Sequence, residues 1–220
     1  MVDFITIWYV FLPYEKEGMK LHNYLEQVIG NKIAISILRT LIKYRGKIYT
    51  IRKLAEDAGA SHPEVSKTLD ELEKFGIVQI QPVGRAHQVS LNEKSYVLNK
   101  IIEPMLKAEE KTIAEVISIL KDHLGTKKIM SAVIFGSVAT QNEQVYSDID
   151  VLVLCDDFDH AISAISRASE EISLKFQSKL SPIVFSESQF RSKKKNNALV
   201  QSILDNHILI FGKELVSILK

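Results

Sequence analysis

Two short runs of almost wholly apolar residues, Ile129 to Phe135 and Val151 to Leu154, constrain most strongly what this chain folds into. Each has the length of a buried strand and is too short for an ordinary helix. The first run ends in Gly136-Ser137; the second opens on Ser147-Asp148-Ile149-Asp150, with ten residues between Ser137 and Asp148. Strand side chains alternate, so Asp148 and Asp150 are expected on one face. Two neighbouring carboxylates repel unless a cation joins them, and Mg2+ suits them because it takes hard oxygen ligands and shares them with phosphates. Gly136 would let backbone approach a phosphate. Ser137 would offer a hydroxyl at a helix start, where free N–H groups favour anions.

Between the second of these strands and a further candidate strand, Ser181 to Phe185, the residues Phe158, Ile162, Ile165, Ser169, Ile172 and Phe176 trace a helix expected to cover the sheet. This arrangement resembles the polymerase-β-type nucleotidyltransferase superfamily, in particular the minimal nucleotidyltransferases, from about Ile129 to the tail Leu209-Ile210-Phe211-Gly212. The resemblance implies that Asp148 and Asp150 are catalytic and hold Mg2+, while Gly136 and Ser137 cradle the triphosphate of an NTP. There are departures. Ala139, Thr140 and Gln141 stand where relatives carry an Arg and a Gly, and the candidate strand for a third carboxylate, Ser181 to Phe185, holds no acid. Glu187, just past its end, is the nearest stand-in. Without a base near the acceptor hydroxyl, proton transfer loses roughly 10² to 10⁴ in rate.

The first half follows a different pattern. Ile33, Ile37, Leu38, Leu41 and Ile42 give one apolar face to a helix over 31–44, which Gly46 stops. Thr50 is placed to cap a helix from Ile51 to Ala58, followed by a turn at Gly59. Ser61 and Glu64 then form a capping box for a third helix with Pro63 in its first turn and Val65, Leu69 and Leu72 facing the core. A strand over 77–81, a turn over Pro82 to Arg85 and a strand through Gln88 to Leu91 complete a hairpin. Leu54 to Gly59, Val65 to Leu69 and Leu72 to Val78 together resemble the winged helix-turn-helix transcription regulators of bacteria and archaea over residues 30 to 95. The resemblance implies a third helix in the major groove of duplex DNA, presenting Ser61, His62, Ser66, Lys67 and Asp70, with Arg85 and His87 in the wing. Lys47, Arg52 and Lys53 would add positive charge beside the second helix.

The fold class expected is therefore α/β (α+β). Residues 20–94 would form a winged helix-turn-helix and 95–124 a connecting helix interrupted at Pro104. Residues 125–220 would form a nucleotidyltransferase-type mixed sheet with covering helices. Ile113, Val116, Ile117, Leu120 and Leu124 resemble a coiled-coil seam, which would either pair two chains into a homodimer or pack on the chain's own domains. Residues 1–19 are left as an extra strand or docking arm, a disordered leader, or a stretch preceding a true start at Met19.

Charge and cysteine narrow the setting. The net charge is +1, but residues 20 to 94 carry twelve Lys and Arg against eight acids, whereas residues 125 to 220 carry eleven of each. Positive charge is thus biased toward the first domain. A lone Cys155 excludes an internal disulfide framework and a multi-thiolate zinc cluster, and fits a reducing, cytoplasmic setting. The apolar stretch from Phe4 to Leu12 is far short of the roughly 20 residues that span a bilayer. Arg191, Lys193, Lys194 and Lys195 form a basic cluster, read as a solvated face or as a contact for triphosphate or nucleic acid. His123, His160 and His207 are too scattered for a metal site. The leading expectation is a DNA-binding transcription regulator whose second domain binds Mg-nucleotide. The alternatives are an active nucleotidyltransferase targeted by its winged helix and an antitoxin-like nucleotidyltransferase acting on a partner protein.

Overall fold

The structure, a computed structural model, describes residues 21–84, 86–194 and 197–219. The expectations for residues 1–19, Arg85 and Lys195 fall outside them. The chain divides into two compact units, Met1–Glu109 and Glu110–Lys220.

In the first unit a short α1 (Leu25–Ile29) precedes α2 (Lys32–Lys43), whose N-cap Asn31 accepts hydrogen bonds from the N–H groups of Ile33 and Ala34. β1 (Tyr49–Thr50) leads into α3 (Ile51–Ala58), capped by the Thr50 hydroxyl, which accepts from Lys53 N at 3.2 Å. Gly59, at φ +65°, ends α3 in the left-handed region. α4 (His62–Lys74) starts at the expected capping box: the Glu64 carboxylate accepts from the Ser61 backbone N–H at 3.1 Å and from its hydroxyl. That pairing holds the Glu64 carboxyl below the usual carboxylate range.

β2 (Val78–Val83) and β3 (Ala86–Leu91) form the hairpin. Its ladder reaches Val83 opposite Ala86, so Pro82 and Val83 belong to the strand and not to the turn expected there. β1 pairs with β3, making a sheet of order β1-β3-β2. That two-residue strand has no alternating pattern of its own, and only the buried Tyr49 betrays it. One core gathers Ile37, Leu38, Leu41, Leu54, Val65, Leu69 and Leu72 from the three helices with Val89 from the sheet.

The connecting segment differs from the expected one. Pro104 does not break it. A wide turn of π-type hydrogen bonding, Leu98–Ile102, runs directly into α5 (Glu103–Glu110), with Glu103 N bonded to Leu98 O. The wider turn accommodates a residue that lacks an N–H and whose ring crowds the preceding turn. The interruption falls instead at Lys111, before α6 (Thr112–Leu124). Val97, Leu98, Ile102 and Leu106 are buried in the first unit's core. Arg45 forks onto Glu103 at 2.9 and 3.3 Å, and Lys107 reaches the same carboxylate at 2.7 Å.

In the second unit a mixed sheet of order β6-β5-β4-β7 is built from β4 (Ile129–Phe135), β5 (Ile149–Cys155), β6 (Leu180–Phe185) and β7 (Ile208–Gly212). β4 is antiparallel to both β5 and β7, and β5 is parallel to β6. Pro182 is tolerated because β6 is an edge strand. α7 (Gly136–Ala139) is a single turn at the end of β4. α8 (Phe158–Phe176) and α6 cover one face, where Val116, Leu120, Leu124, Ala161, Ala164, Ala168 and Ile172 meet Ala132, Ile134, Val151 and Val153. α9 (Glu187–Lys193), α10 (Ala198–Asp205) and α11 (Leu215–Ile218) bring Phe190, Val200, Ile203, Leu215 and Ile218 to Val133, Phe135, Leu152 and Leu154 on the other face.

Of the two expectations for the α6 stripe, the structure takes the second: Val116, Leu120 and Leu124 are buried inside this unit, with Ile113 and Ile117 packed against them. On α8 the expected Ile165 and Ile172 are buried and Phe176 packs against the core, but Phe158 and Ile162 are exposed and Ala161, Ala164 and Ala168 fill the rest of the buried side. Small residues let the helix lie close to the sheet, a role that counting large apolar side chains passes over.

Candidate functional site

The second apolar run is a strand, but its ladder begins at Ile149. Asp150 is therefore held by the sheet, with Phe135 as its partner on β4 and Ser181 on β6. Asp148 stands one residue outside. The expectation that strand alternation alone aligns the two carboxylates is corrected accordingly: the sheet orients Asp150, and the preceding loop orients Asp148. That loop is tied down. Asn142 N donates to Ser137 O at 2.9 Å, Gln144 and Ser147 exchange hydrogen bonds at 2.9 Å, and Ile149 N donates to Lys179 O at 2.8 Å.

Gly136 takes its place for a reason the sequence does not display. Its φ is +71°, and a Cβ built on it would lie 3.2 Å from Cγ of Asp150 and closer still to a carboxylate oxygen. The glycine at the end of β4 and the acid on β5 are thus set directly against each other. Ser137 lies in the first turn of α7, half-buried, where backbone N–H groups lack intrahelical partners.

Asp150 is half-buried and Asp148 exposed, and neither is joined to another side chain by a hydrogen bond or ion pair among the described residues. A half-buried carboxylate with no cationic partner is costly. The pair fits a divalent cation as two oxygen donors two residues apart, beside backbone bared by Gly136. No cluster of three or more His, Cys, Asp or Glu suited to a metal exists among the described residues. The register explains why. Ser181 sits beside Asp150 on β6, followed on the same face by Ile183, so a hydroxyl and an alkyl group occupy the positions where a third acid would complete the set. Glu187 cannot replace it. β6 runs parallel to β5, so Glu187 lies past the far end of the ladder, beyond the Leu154–Phe185 pair, where it bonds Arg191 at 2.8 Å.

The remaining candidates are placed separately. Arg191 is committed to Glu187, and Lys193 lies over the Phe185 ring at 5.5 Å. Cys155 is buried at the end of β5, and burial pushes its thiol pKa up. His123 faces Glu171, His160 faces Thr126, and His207 Nδ1 faces Ile203 O. In the first unit Ser61, His62, Lys67, Asp70 and His87 are exposed and Ser66 is half-buried. Lys67 has no ion pair among the described residues, whereas Lys53 is engaged by Asp57 and Glu56 and Arg52 by Glu56. Two residues the sequence reading passed over, Tyr146 and Lys179, line a cleft with Asp148. An aromatic two positions before the acid pair was the available signal for the first.

Residues 114–215 match the family model described as polymerase beta, nucleotidyltransferase, which covers α6 through the start of α11. The second unit is a nucleotidyltransferase-like domain. Among solved structures, the chain is similar to one described as a toxin-antitoxin with AMP-PNP, at 20% identity and TM-score 0.32, over 47% of this chain and 75% of that one. It is also similar to TrmBL2, described as an archaeal chromatin protein with a novel mode of DNA binding, at 16% identity and TM-score 0.28, over 83% of this chain and 73% of that one. No curated protein matches. No helix among the described residues is long and apolar enough to cross a membrane.

Proposed function

We propose that the chain is a DNA-binding transcription regulator whose nucleotidyltransferase-like unit binds a magnesium nucleotide and turns it over poorly or not at all. The observation that carries the second half is the register of Asp150: Gly136 stands against its carboxylate, and Ser181 stands beside it where a third acid is wanted. On this reading Asp148 and Asp150 hold Mg2+, and Gly136 and Ser137 receive the phosphates. The metal, when bound, would supply positive charge to offset the two carboxylates and the phosphates. The chain's own residues bind and orient. With no base beside the acceptor position, activation of an attacking hydroxyl is the step left unsupported.

For the first half, three helices followed by a hairpin, with an exposed Lys67 on the third helix that has no ion pair among the described residues, support a winged helix-turn-helix that presents α4 to the major groove. Ser61, His62, Ser66 and Lys67 would meet bases or phosphates there, and His87, with Arg85, the backbone beside the wing.

Calorimetric titration of Mg2+ and each NTP into the wild type and Asp150→Asn tests the pocket. Heat in the wild type that Asp150→Asn abolishes is expected; no heat with any NTP rejects the nucleotide reading. Transfer of labelled nucleotide to any acceptor, lost in Asp148→Asn, would instead make the unit an active transferase. DNA binding is tested by the salt dependence of duplex affinity: Lys67→Ala should lower the slope of log K against log salt by roughly one. A protein that leaves duplex DNA unshifted at low salt has another role.

A further inference from the structure

In the first unit a cleft of about 620 Å3 runs between α2 and α3, within the range of roughly 300 to 1,000 Å3 typical of small-molecule sites. Its lining comes from α2, the loop after it and α3, whereas the residues proposed to meet DNA lie on α4 and the hairpin. Four cations line the cleft, Arg39, Lys43, Lys47 and Lys53, against the single carboxylate of Asp57. Two of the four are already answered: Arg39 lies 2.7 Å from Glu109, and Lys53 lies 2.8 Å from Asp57. Lys43 and Lys47 have no ion pair among the described residues.

Those two ammoniums are gathered rather than dispersed. Both lie over the ring of Tyr44, 5.6 and 5.5 Å from its centroid, and Lys47 is also 4.6 Å from the ring centroid of the buried Tyr49. A lysine side chain loses rotamer entropy when it is fixed on a ligand, and here the rings have done part of that ordering beforehand. Two like charges drawn to one ring repel each other, and an anion between them relieves that repulsion. The hydroxyls of the cleft add a second requirement. Ser36 Oγ donates to Ala58 O at 3.1 Å, and Thr40 Oγ1 donates to Ser36 O at 3.0 Å. Each hydroxyl has one proton, so what both still offer a ligand is lone pairs. A bare anion has no use for them, whereas a ligand's own hydroxyl groups do.

We propose that this cleft binds a phosphorylated polyol, with phosphate on Lys43 and Lys47 and hydroxyl groups donating to Ser36 and Thr40. Phosphate suits the two ammoniums because lysine acts as a point charge, while planar carboxylates are matched by the arginine fork, and Arg39 is engaged by Glu109. Hydroxyls on the ligand supply the donors that the two protein hydroxyls are left to accept. Every residue of the cleft belongs to the first unit, so the assignment does not depend on the acid pair of the second.

The test is calorimetry on the full chain in chelator, with fructose 1,6-bisphosphate as the probe, pyrophosphate as charge without hydroxyls and fructose as hydroxyls without charge. The bisphosphate should bind about tenfold or more tighter than pyrophosphate, and fructose should give no heat. Lys47→Gln should weaken the bisphosphate about tenfold or more. Tyr44→Leu should weaken it by releasing both ammoniums, while Tyr44→Phe should retain it. Lys43, Tyr44 and Lys47 are exposed, so these replacements leave the core in place. Asp150→Asn should bind the bisphosphate as wild type does; a loss there would place the ligand in the second unit and overturn the assignment. No heat from the bisphosphate, pyrophosphate binding as tightly, or affinity that survives Lys43→Gln combined with Lys47→Gln overturns it as well. So does a protein without bisphosphate heat in which that double replacement lowers the salt slope of duplex affinity, since the face would then be a contact for the DNA backbone.

Discussion

Gly136 and Asp150 show how one missing side chain organises a site. At φ +71° an alanine would be strained, and its Cβ would meet the Asp150 carboxylate. Gly136→Ala should therefore destabilise the second unit by about 1–3 kcal/mol and remove Mg-nucleotide heat, read by thermal unfolding and calorimetry. Ser181 supports a complementary prediction. Neighbouring strands lie about 4.8 Å apart, so Ser181→Asp would set a second carboxylate beside Asp150. The variant should melt below wild type in chelator and gain more from added Mg2+ than wild type does. Equal Mg2+ responses would show that the Asp150 carboxylate does not face a cation site.

At the scale of elements, capping and packing can be tested apart. The capping box of α4 fixes the start of the helix proposed to read DNA, and Ser61→Ala should cost about 1 kcal/mol by thermal unfolding. Glu103 joins two elements of the first unit through Lys107 and Arg45, which together hold its carboxyl below the ordinary value of 4.5. A depressed carboxylate contributes stability above its unfolded pKa and loses it as pH falls through the folded one. The first unit should thus weaken on acidification from about pH 5 downward, and Glu103→Gln should flatten that dependence in unfolding midpoints taken from pH 3 to 7. In the second unit Leu120 is fully buried between α6 and its neighbours, and Leu120→Ala should cost about 2–5 kcal/mol. A smaller loss would mean that α6 is not part of that core.

For the whole molecule, the position of the division is the testable matter. A fragment ending at residue 94 lacks Val97, Leu98, Ile102 and Leu106, all buried in the first core, whereas one ending at residue 109 keeps them. The fragment over 21–109 should melt cooperatively and the fragment over 21–94 should not, as read by circular dichroism. Residues 110–220 hold both faces of the second sheet and should fold alone. The segment over 95–124, read as a single connector, is thereby shared out: its first half completes one core and its second half completes the other.

The sequence by itself determined the helices with capped starts and periodic apolar faces, the hairpin, the two central strands, and the pairing of Gly136-Ser137 with Asp148-Ile149-Asp150. These are local signals, because caps, turns and alternation are written within a few residues of one another. Tertiary structure decided what depends on residues distant in the chain. It covered the α6 stripe with α8 and the sheet, since a sequence shows that a face is apolar and not what lies on it. It set Ser181 beside Asp150 and carried Glu187 to the far end, because parallel register is fixed only when two strands meet. It also gathered Tyr146, Asp148, Phe176 and Lys179 around one cleft, joining a loop and a helix end that are some thirty positions apart.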